Sequence, residues 1–494
     1  MENSVIQYNP QDVYVLNPNA RLRNDKKRVI AITIHGGSAY PLAFNPIDGV
    51  IISMFNESRI CGDIANLCTS FAHEPIEMAE EYLKKFIINF TKTTEEMPLP
   101  LLVKKTALRP EEITRVRRYN PLDFAIHRDQ WKALYVDDNH QAFPTTLLWL
   151  LTNDCQVNCQ YCYMPKPPLK KEDLLPWDRV QAILKEIYEN GPVLLNISGG
   201  DVMLYPHLFD FLDLLCKYDI PLVGIATKAY VDRETADRLA KNDIIESIQF
   251  SIDSTVPEIG DYLVQSPGFV ERTFKAIENC LAAGLKVEAK TVITPYNIAT
   301  IPKLYRDLKT RGVSAIRLAT YCRSAFHHKD KLFNYPDDYE WLDKEIEKLK
   351  QEFPGNSFNI QNGPPKPEPM SAEKKKEIWD KKTRCTAGRN ALTICANGRV
   401  VACEQMPERE EDYIGDLKCQ SLTEAWNGKT LDEYLIHPPK EKFRGTICYE
   451  CPDDEFYKCT TMVGTCVRDI VRDYGTRWAP SKYCPRAPEA PRAQ

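Results

Sequence analysis

Nowhere in this 494-residue chain does an apolar stretch reach the ~18 residues that a membrane-crossing helix needs. A basic surplus is missing too. The 64 Lys and Arg against 69 Asp and Glu leave a net charge of −5, which gives no whole-chain attraction for nucleic acid. There is no basic-then-apolar leader with a cleavage site at the start. Internal repetition is limited to alternating strands and helices in the middle of the chain. The expectation is a cytoplasmic protein with neither membrane nor nucleic acid as partner. In that compartment the 17 cysteines argue for metal binding rather than disulfides. A hydrophobic content of 43% is ample for sizeable cores, and the length suits about two to four domains.

Residues 1–95 read as a small α+β domain. Strands are expected at 28–34 and 39–44 with a turn at Gly36 and Gly37. Asn45 caps and Pro46 opens a first helix, and two more helices fit 60–71 and 75–90. Residues 96–144 carry prolines and charges without a long period and read as a linker with a helical piece. From 145 to 349, apolar strands at 145–151, 193–198, 221–227, 247–253, 286–293 and 314–319 alternate with helices such as 177–190 and 269–283. Such alternation implies a parallel sheet with right-handed crossovers, here a partial (β/α)6 barrel with its chemistry at the strand C-termini. Residues 350–380 read as a second linker, and 381–494 as a cysteine-rich domain.

The cysteines are unevenly placed. Cys61, Cys68, Cys216 and Cys280 fall in amphipathic helical patterns and read as small buried hydrophobes. Cys155, Cys159 and Cys162 follow the first barrel strand at the spacing C-x3-C-x2-C. Three such thiolates can hold three irons of a 4Fe–4S cluster and leave the fourth open; a zinc site would use the same ligands, so context decides. Tyr161 precedes the third cysteine, Ser198-Gly199-Gly200-Asp201 ends the second strand, and Phe250-Ser251-Ile252-Asp253 ends the fourth. With these features the stretch resembles the radical S-adenosylmethionine (SAM) enzymes.

The resemblance implies a cluster that binds SAM and cleaves it reductively to a 5′-deoxyadenosyl radical. It also implies roles for individual residues. Tyr161 packs near the adenine, Gly199, Gly200 and Asp201 meet the amino group of SAM, and Ser251 contacts SAM. Asp201 stands where the family usually has Glu. Leu318 in the sixth strand borders the adenine. The family often places an Arg about twelve residues after Ser-x-Asp to grip the SAM carboxylate, but Leu263 occupies that stretch here. Lys290 in the fifth strand is the substitute, unless it is a solvated strand residue.

Further on come Cys385, Cys395, Cys403, Cys448, Cys451, Cys459, Cys466 and Cys484, with Gly398 at the turn of an expected hairpin. This pattern resembles the SPASM extension of peptide-modifying radical SAM enzymes, whose cysteines hold two auxiliary 4Fe–4S clusters. The gaps after Cys451 and Cys459 are seven and six residues, longer than the common family spacing. The resemblance assigns Cys385, Cys403 and Cys466 to one cluster, and Cys448, Cys451, Cys459 and Cys484 to the other. Cys395 would complete the first, the alternative being an iron left open to substrate. A zinc ribbon is the competing reading of this region. The order of elements in 1–95 resembles the RiPP recognition element, a winged-helix-like leader-binding fold that captures a precursor peptide by strand addition.

Taken together, the chain resembles a maturase of ribosomally made peptides. Its expected partners are a precursor peptide, bound through its leader, and an electron donor such as flavodoxin or ferredoxin. The expected product is a C–C or C–S cross-link. Alternatives are Cα epimerisation, with Cys322 as hydrogen donor, or formylglycine formation in a sulfatase; a non-catalytic metal scaffold is the reading outside enzymes. Anaerobically reconstituted protein should carry roughly twelve irons with matching labile sulfide, four in each of three clusters. Replacing Cys155, Cys159 and Cys162 together by Ala should remove about four irons and all SAM cleavage. 5′-Deoxyadenosine made by that triple variant would refute the site.

Overall fold

The computed structural model describes residues 8–25, 28–35, 38–94, 97–125, 140–163, 169–245, 247–322, 329–354, 360–361, 370–381, 384–406 and 408–487. The expected turn at Gly36 and Gly37 lies outside them. The chain divides into two compact units, residues 1–145 with 187–194, and residues 146–186 with 195–494.

In the first unit, β1 (Tyr14–Leu16) is followed by β2 (Ala20–Asp25), β3 (Arg28–His35) and β4 (Ser38–Phe44). The last three form an antiparallel sheet in the order β2-β3-β4. Pro41 marks β4 as an edge strand, since proline has no N–H to give to a central ladder. Helix α1 (Pro46–Ser53) starts as its sequence requires, with the Asp48 N–H donating to Asn45 Oδ1 at 2.9 Å and Pro46 in the first turn. Helices α2 (Cys61–Ala72) and α3 (Ile76–Phe90) complete the unit. Phe86 of α3 is 5% exposed; it stacks on Phe55 at 6.0 Å and meets Phe90 at 4.6 Å and Phe44 at 6.2 Å.

The expected linker 96–144 is largely part of this unit. Strand β5 (Leu102–Lys104) pairs antiparallel with β1. The Leu22 N–H donates to the Tyr119 hydroxyl at 2.9 Å, and Phe124 is buried. Buried Arg23 donates from Nη1 to Pro144 O at 2.9 Å and from Nη2 to Gln141 Oε1 at 2.8 Å. Proline and charge gave this stretch a linker's composition, while its few apolar residues are the ones that pack.

The second unit holds the barrel. Its strands are β6 (Thr146–Thr152), β7 (Leu194–Gly199), β8 (Ile225–Thr227), β9 (Ile248–Ser251), β10 (Val287–Ile293) and β11 (Ala315–Thr320), with helices between them. β8 through β11 pair in parallel, and a parallel bridge from Leu195 to Leu222 carries the sheet from β7 toward β8. β8 is shorter than expected because Pro221 and Gly224, at φ 137, interrupt the approach to it. Trp149 packs edge-on against Phe211 at 5.5 Å, on the helix-covered side.

The sheet runs past both expected ends. β12 (Ile360–Gln361), in the expected second linker, pairs with β11. At the other side β13 (Ala391–Ile394) pairs in parallel with β6, and β14 (Arg399–Val401) and β15 (Gly415–Asp416) follow antiparallel. The cysteine-rich region thus continues the barrel sheet. Among the described residues no helix is long and apolar enough to cross a membrane.

Candidate functional site

Strand β6 delivers the loop that carries Cys155, Cys159 and Cys162 at the C-terminal edge of the sheet, where parallel α/β folds place their chemistry. The loop is held by the end of β7. The Gly200 N–H donates to Thr152 O, and the Asp201 N–H to Asp154 O, both at 2.7 Å. The fit demands glycine twice. A Cβ on Gly199, whose φ is +146, would lie 2.2 Å from Thr152 O; one on Gly200 would lie 2.0 Å from Asp154 O.

Asp201 is 4% exposed, and its carboxylate takes five donors. Gln156 Nε2 reaches it at 2.9 Å from the cysteine loop and the Met203 N–H at 3.1 Å. Thr227 Oγ1 donates at 2.7 Å, the Lys228 N–H at 2.7 Å and the Ala229 N–H at 3.1 Å, all from the end of β8. This acid therefore ties the cysteine loop, β7 and β8 together, a use that the sequence pattern does not reveal.

Tyr161 is buried among Leu263, Tyr321 and Leu332, with Cys159 against the same cluster. Its hydroxyl donates to Asp253 Oδ2, while Asp253 Oδ1 accepts the Val292 N–H at 2.8 Å. Burial pushes the Tyr161 hydroxyl far above its ordinary pKa, and Asp253 adds to the shift. The acid at the end of β9 thereby anchors the aromatic that precedes Cys162.

In the strand ladder Lys290 stands between Ser251 and Arg317, so these three share one face. Leu318 pairs with Thr291 one residue along and is 3% exposed, which puts its side chain on the opposite face, away from Ser251 and Lys290. The expected adenine contact of that side chain is not what the register offers. Lys290 is not a solvated surface residue either. Burial lowers its pKa, with Arg317 and Lys228 adding to the shift. Lys228 escaped the sequence reading. It follows β8, and its Nζ lies 5.5 Å from the centre of the Tyr161 ring. A cation one residue past a barrel strand was the signal.

The three thiols fit a cluster. Burial raises the thiol of Cys159 to about 12, a cost that iron offsets by displacing the proton. Among the described residues no three His, Cys, Asp or Glu side chains converge on a point as around a single ion. Ligands to separate irons of a cube stand further apart than ligands to one ion.

At the C-terminal side, Cys385 is an electrostatic neighbour of Cys466, and Cys448 of Cys484 and Cys451. Cys395 and Cys403 stand at different ends of the β13–β14 hairpin. Cys395 is fully buried at the turn end of the β13–β14 hairpin, its N–H bonded to Arg399 O, whereas Cys403 lies beyond Val401 at the open end. β14 ends at Val401, two residues short of Cys403, and the Cys395 thiol is buried inside the hairpin. Cys61, Cys68 and Cys280 are buried as expected, but Cys216 is exposed at a helix end, where its thiol donates to Asn242 Oδ1 at 3.2 Å.

A sheet of parallel strands with a three-thiol loop at its C-terminal edge and a thiol-rich hairpin on its flank defines an iron–sulfur enzyme of radical chemistry. The chain belongs to the radical SAM superfamily. That family matches residues 149–308, and the iron–sulfur cluster-binding domain called SPASM matches residues 385–452. A GTP 3′,8-cyclase of Helicobacter pylori is 32% identical over 229 residues, 43% of this chain and 68% of that protein. The AdoMet-dependent heme synthase of Methanosarcina barkeri is 23% identical over 62% of this chain and 88% of its own. The PqqA peptide cyclase of Gluconobacter oxydans is 22% identical over 61% and 80%. In fold, the chain resembles Streptococcus suis SuiB bound to the precursor peptide SuiA, with a TM-score of 0.63 at 16% identity over 96% of this chain and 100% of that one.

Replacing Gly200 by Ala should force the Asp154 carbonyl aside. Iron should fall by about four per chain, with SAM cleavage lost and the auxiliary clusters kept. A full iron complement in that variant would contradict the seating described here.

Proposed function

We propose that this enzyme modifies a ribosomally made precursor peptide, forming a C–C or C–S cross-link. The observation that carries the reading is a small sheet with a free edge strand, in the same chain as the radical SAM barrel. Among the described residues no strand covers the outer side of β4. Because Pro41 has no N–H, its nitrogen side faces that open edge, and Ala39 and Ala43, two residues to either side, present their N–H and C=O the same way. Along α3, Met78 and Tyr82 are 58% and 46% exposed in the row that continues into buried Phe86. A free edge with an apolar row on the helix of the same unit suits an extended leader whose alternate side chains enter pockets. The likeness to SuiB spans nearly the whole chain, including this unit, and the peptide cyclase among the relatives supports the same substrate class.

With its cofactors bound, the first cluster and SAM supply a 5′-deoxyadenosyl radical, and the auxiliary clusters supply a place for a surplus electron. The residues arrange the rest. Cys155, Cys159 and Cys162 are the first cluster's ligands. Cys385, Cys403 and Cys466 form one auxiliary set, and Cys448, Cys451, Cys459 and Cys484 the other. Lys228 and Lys290 furnish the positive charge that the missing arginine would have brought to the SAM carboxylate. Asp201 positions the loop, and Gly199 and Gly200 leave room for backbone contact. Electrons come from a small donor such as flavodoxin or ferredoxin, in the cytoplasm.

Epimerisation is the second reading, because Cys322 is half-buried past β11 with its thiol pKa raised by burial and with Lys290 among its electrostatic neighbours. A protonated thiol there could return a hydrogen atom.

Mass balance separates the two. A cross-link removes two hydrogens, so the peptide should lose about 2 Da. An unchanged mass with solvent deuterium at a Cα, lost in Cys322→Ala, would select epimerisation. Binding tests the leader site. Ala43→Pro, which removes an outward N–H at an exposed position, should weaken a labelled synthetic leader at least about tenfold and leave uncoupled SAM cleavage intact. Unchanged affinity would overturn strand addition at β4.

A further inference from the structure

Strands β8 to β11 have two unlike faces. Ile225, Phe250, Val287, Ala289 and Leu318 point to the helix-covered side and are at most 3% exposed. The other face is polar and open. Ala226 is exposed although Ile225 and Thr227 on either side of it are buried. The ladder sets Ala226 beside Gln249, and Gln249 beside Glu288. Two residues nearer the C-terminal rim, Ser251, Lys290 and Arg317 stand in a row on this same face. Neighbouring strands lie roughly 5 Å apart, so the backbone of Arg317 is about 10 Å from that of Ser251. The face lines the inside of the partial barrel, next to the rim that carries the three cysteines.

The charges on this wall do not cancel. Glu288 is buried, and two cations share its carboxylate. Lys286 Nζ lies 3.2 Å from Oε1, and Arg317 Nη2 lies 2.9 Å from Oε2. Lys290 is the ladder partner of Arg317, and burial lowers its pKa, with Arg317 and Lys228 adding to the shift. SAM does not restore the balance, because its carboxylate is outweighed by its own ammonium and sulfonium groups. Arg317 is thus held in place by an acid that a second cation already shares. Its side chain is still 46% exposed. A guanidinium paired through one nitrogen keeps further N–H groups, in the planar fork that fits a second carboxylate.

We infer that Arg317 binds a carboxylate of the core peptide and so sets which residue reaches the radical. The inference rests on the proposed peptide substrate, and goes beyond it by naming the chemistry that the barrel wall selects. Two sources offer this group, an Asp or Glu side chain and the free C-terminus. Either one, paired with a guanidinium that Glu288 keeps in place, would fix the reacting carbon relative to the SAM site.

The test uses the reconstituted full-length enzyme with SAM and three N-acetylated pentapeptides, titrated at millimolar concentration by saturation-transfer NMR. The first is Gly-Ala-Glu-Ala-Gly amide, the second has Gln for Glu, and the third is the Gln peptide with a free C-terminal acid. The wild type should bind one of the two acids at least about tenfold more tightly than the Gln amide, and which acid it prefers names the source. Arg317→Gln should remove that preference, and Arg317→Lys, which keeps the charge without the fork, should retain part of it. Glu288 keeps Lys286 as a partner in both variants. Equal binding of all three peptides by the wild type would overturn the inference and leave the peptide reading standing. A preference that survives Arg317→Gln would overturn it too. So would a fall in SAM affinity with the peptide preference retained, which would give Arg317 to the cofactor. Binding of none of the peptides, alongside normal SAM cleavage, would overturn both the inference and the peptide reading beneath it.

Discussion

The barrel's chemistry depends on one buried carboxylate. Burying the Asp201 carboxyl group is tolerable because five donors satisfy it. Those donors come from the cysteine loop, from the turn after β7 and from the end of β8. Each would otherwise be free to drift at the rim of an open sheet. The two glycines before it let the β7 backbone touch the β6 backbone, and together these contacts set where the three thiols stand. Asp253 does the same at β9, joining Tyr161 to β10. The rim is thus a set of carboxylate clamps that fix the cysteine loop against the strand ends.

A second constraint links the cysteine-rich region to that rim. β13 hydrogen-bonds to β6 in register, Leu392 opposite Leu147 and Ile394 opposite Trp149. The strand that presents the loop of Cys155, Cys159 and Cys162 is therefore shared with the hairpin whose open end leads to Cys385 and Cys403. Sheet hydrogen bonds, rather than a flexible tether, hold the two thiol-bearing regions in relation.

Much of this was legible in the sequence. All six barrel strands were found from apolar runs between helical patterns, and α1 from Asn45 and Pro46. The C-x3-C-x2-C spacing, the double glycine and Ser251-x-Asp253 located the strand ends that meet at the site. What failed did so for physical reasons. Leu318 belongs to the other face of β11, since a strand alternates sides every residue and a motif does not say which side is which. Cys395 counts as an eighth thiol in the sequence, and the hairpin buries it completely. Residues 96–144 had the composition of a linker, yet β5, Tyr119 and Phe124 pack into the first unit. Lys228 and the clamping role of Asp201 depend on contacts between loops far apart in sequence, which no local pattern encodes.

The central claim is that a radical made at the rim takes hydrogen from a peptide. The most direct measurement uses the reconstituted enzyme, SAM, a reductant and a precursor peptide deuterated at its carbon-bound positions, with mass analysis of the 5′-deoxyadenosine formed. The account predicts deuterium in that nucleoside whenever the peptide is consumed, and none when the peptide lacks its leader. Unlabelled 5′-deoxyadenosine alongside modified peptide would contradict it.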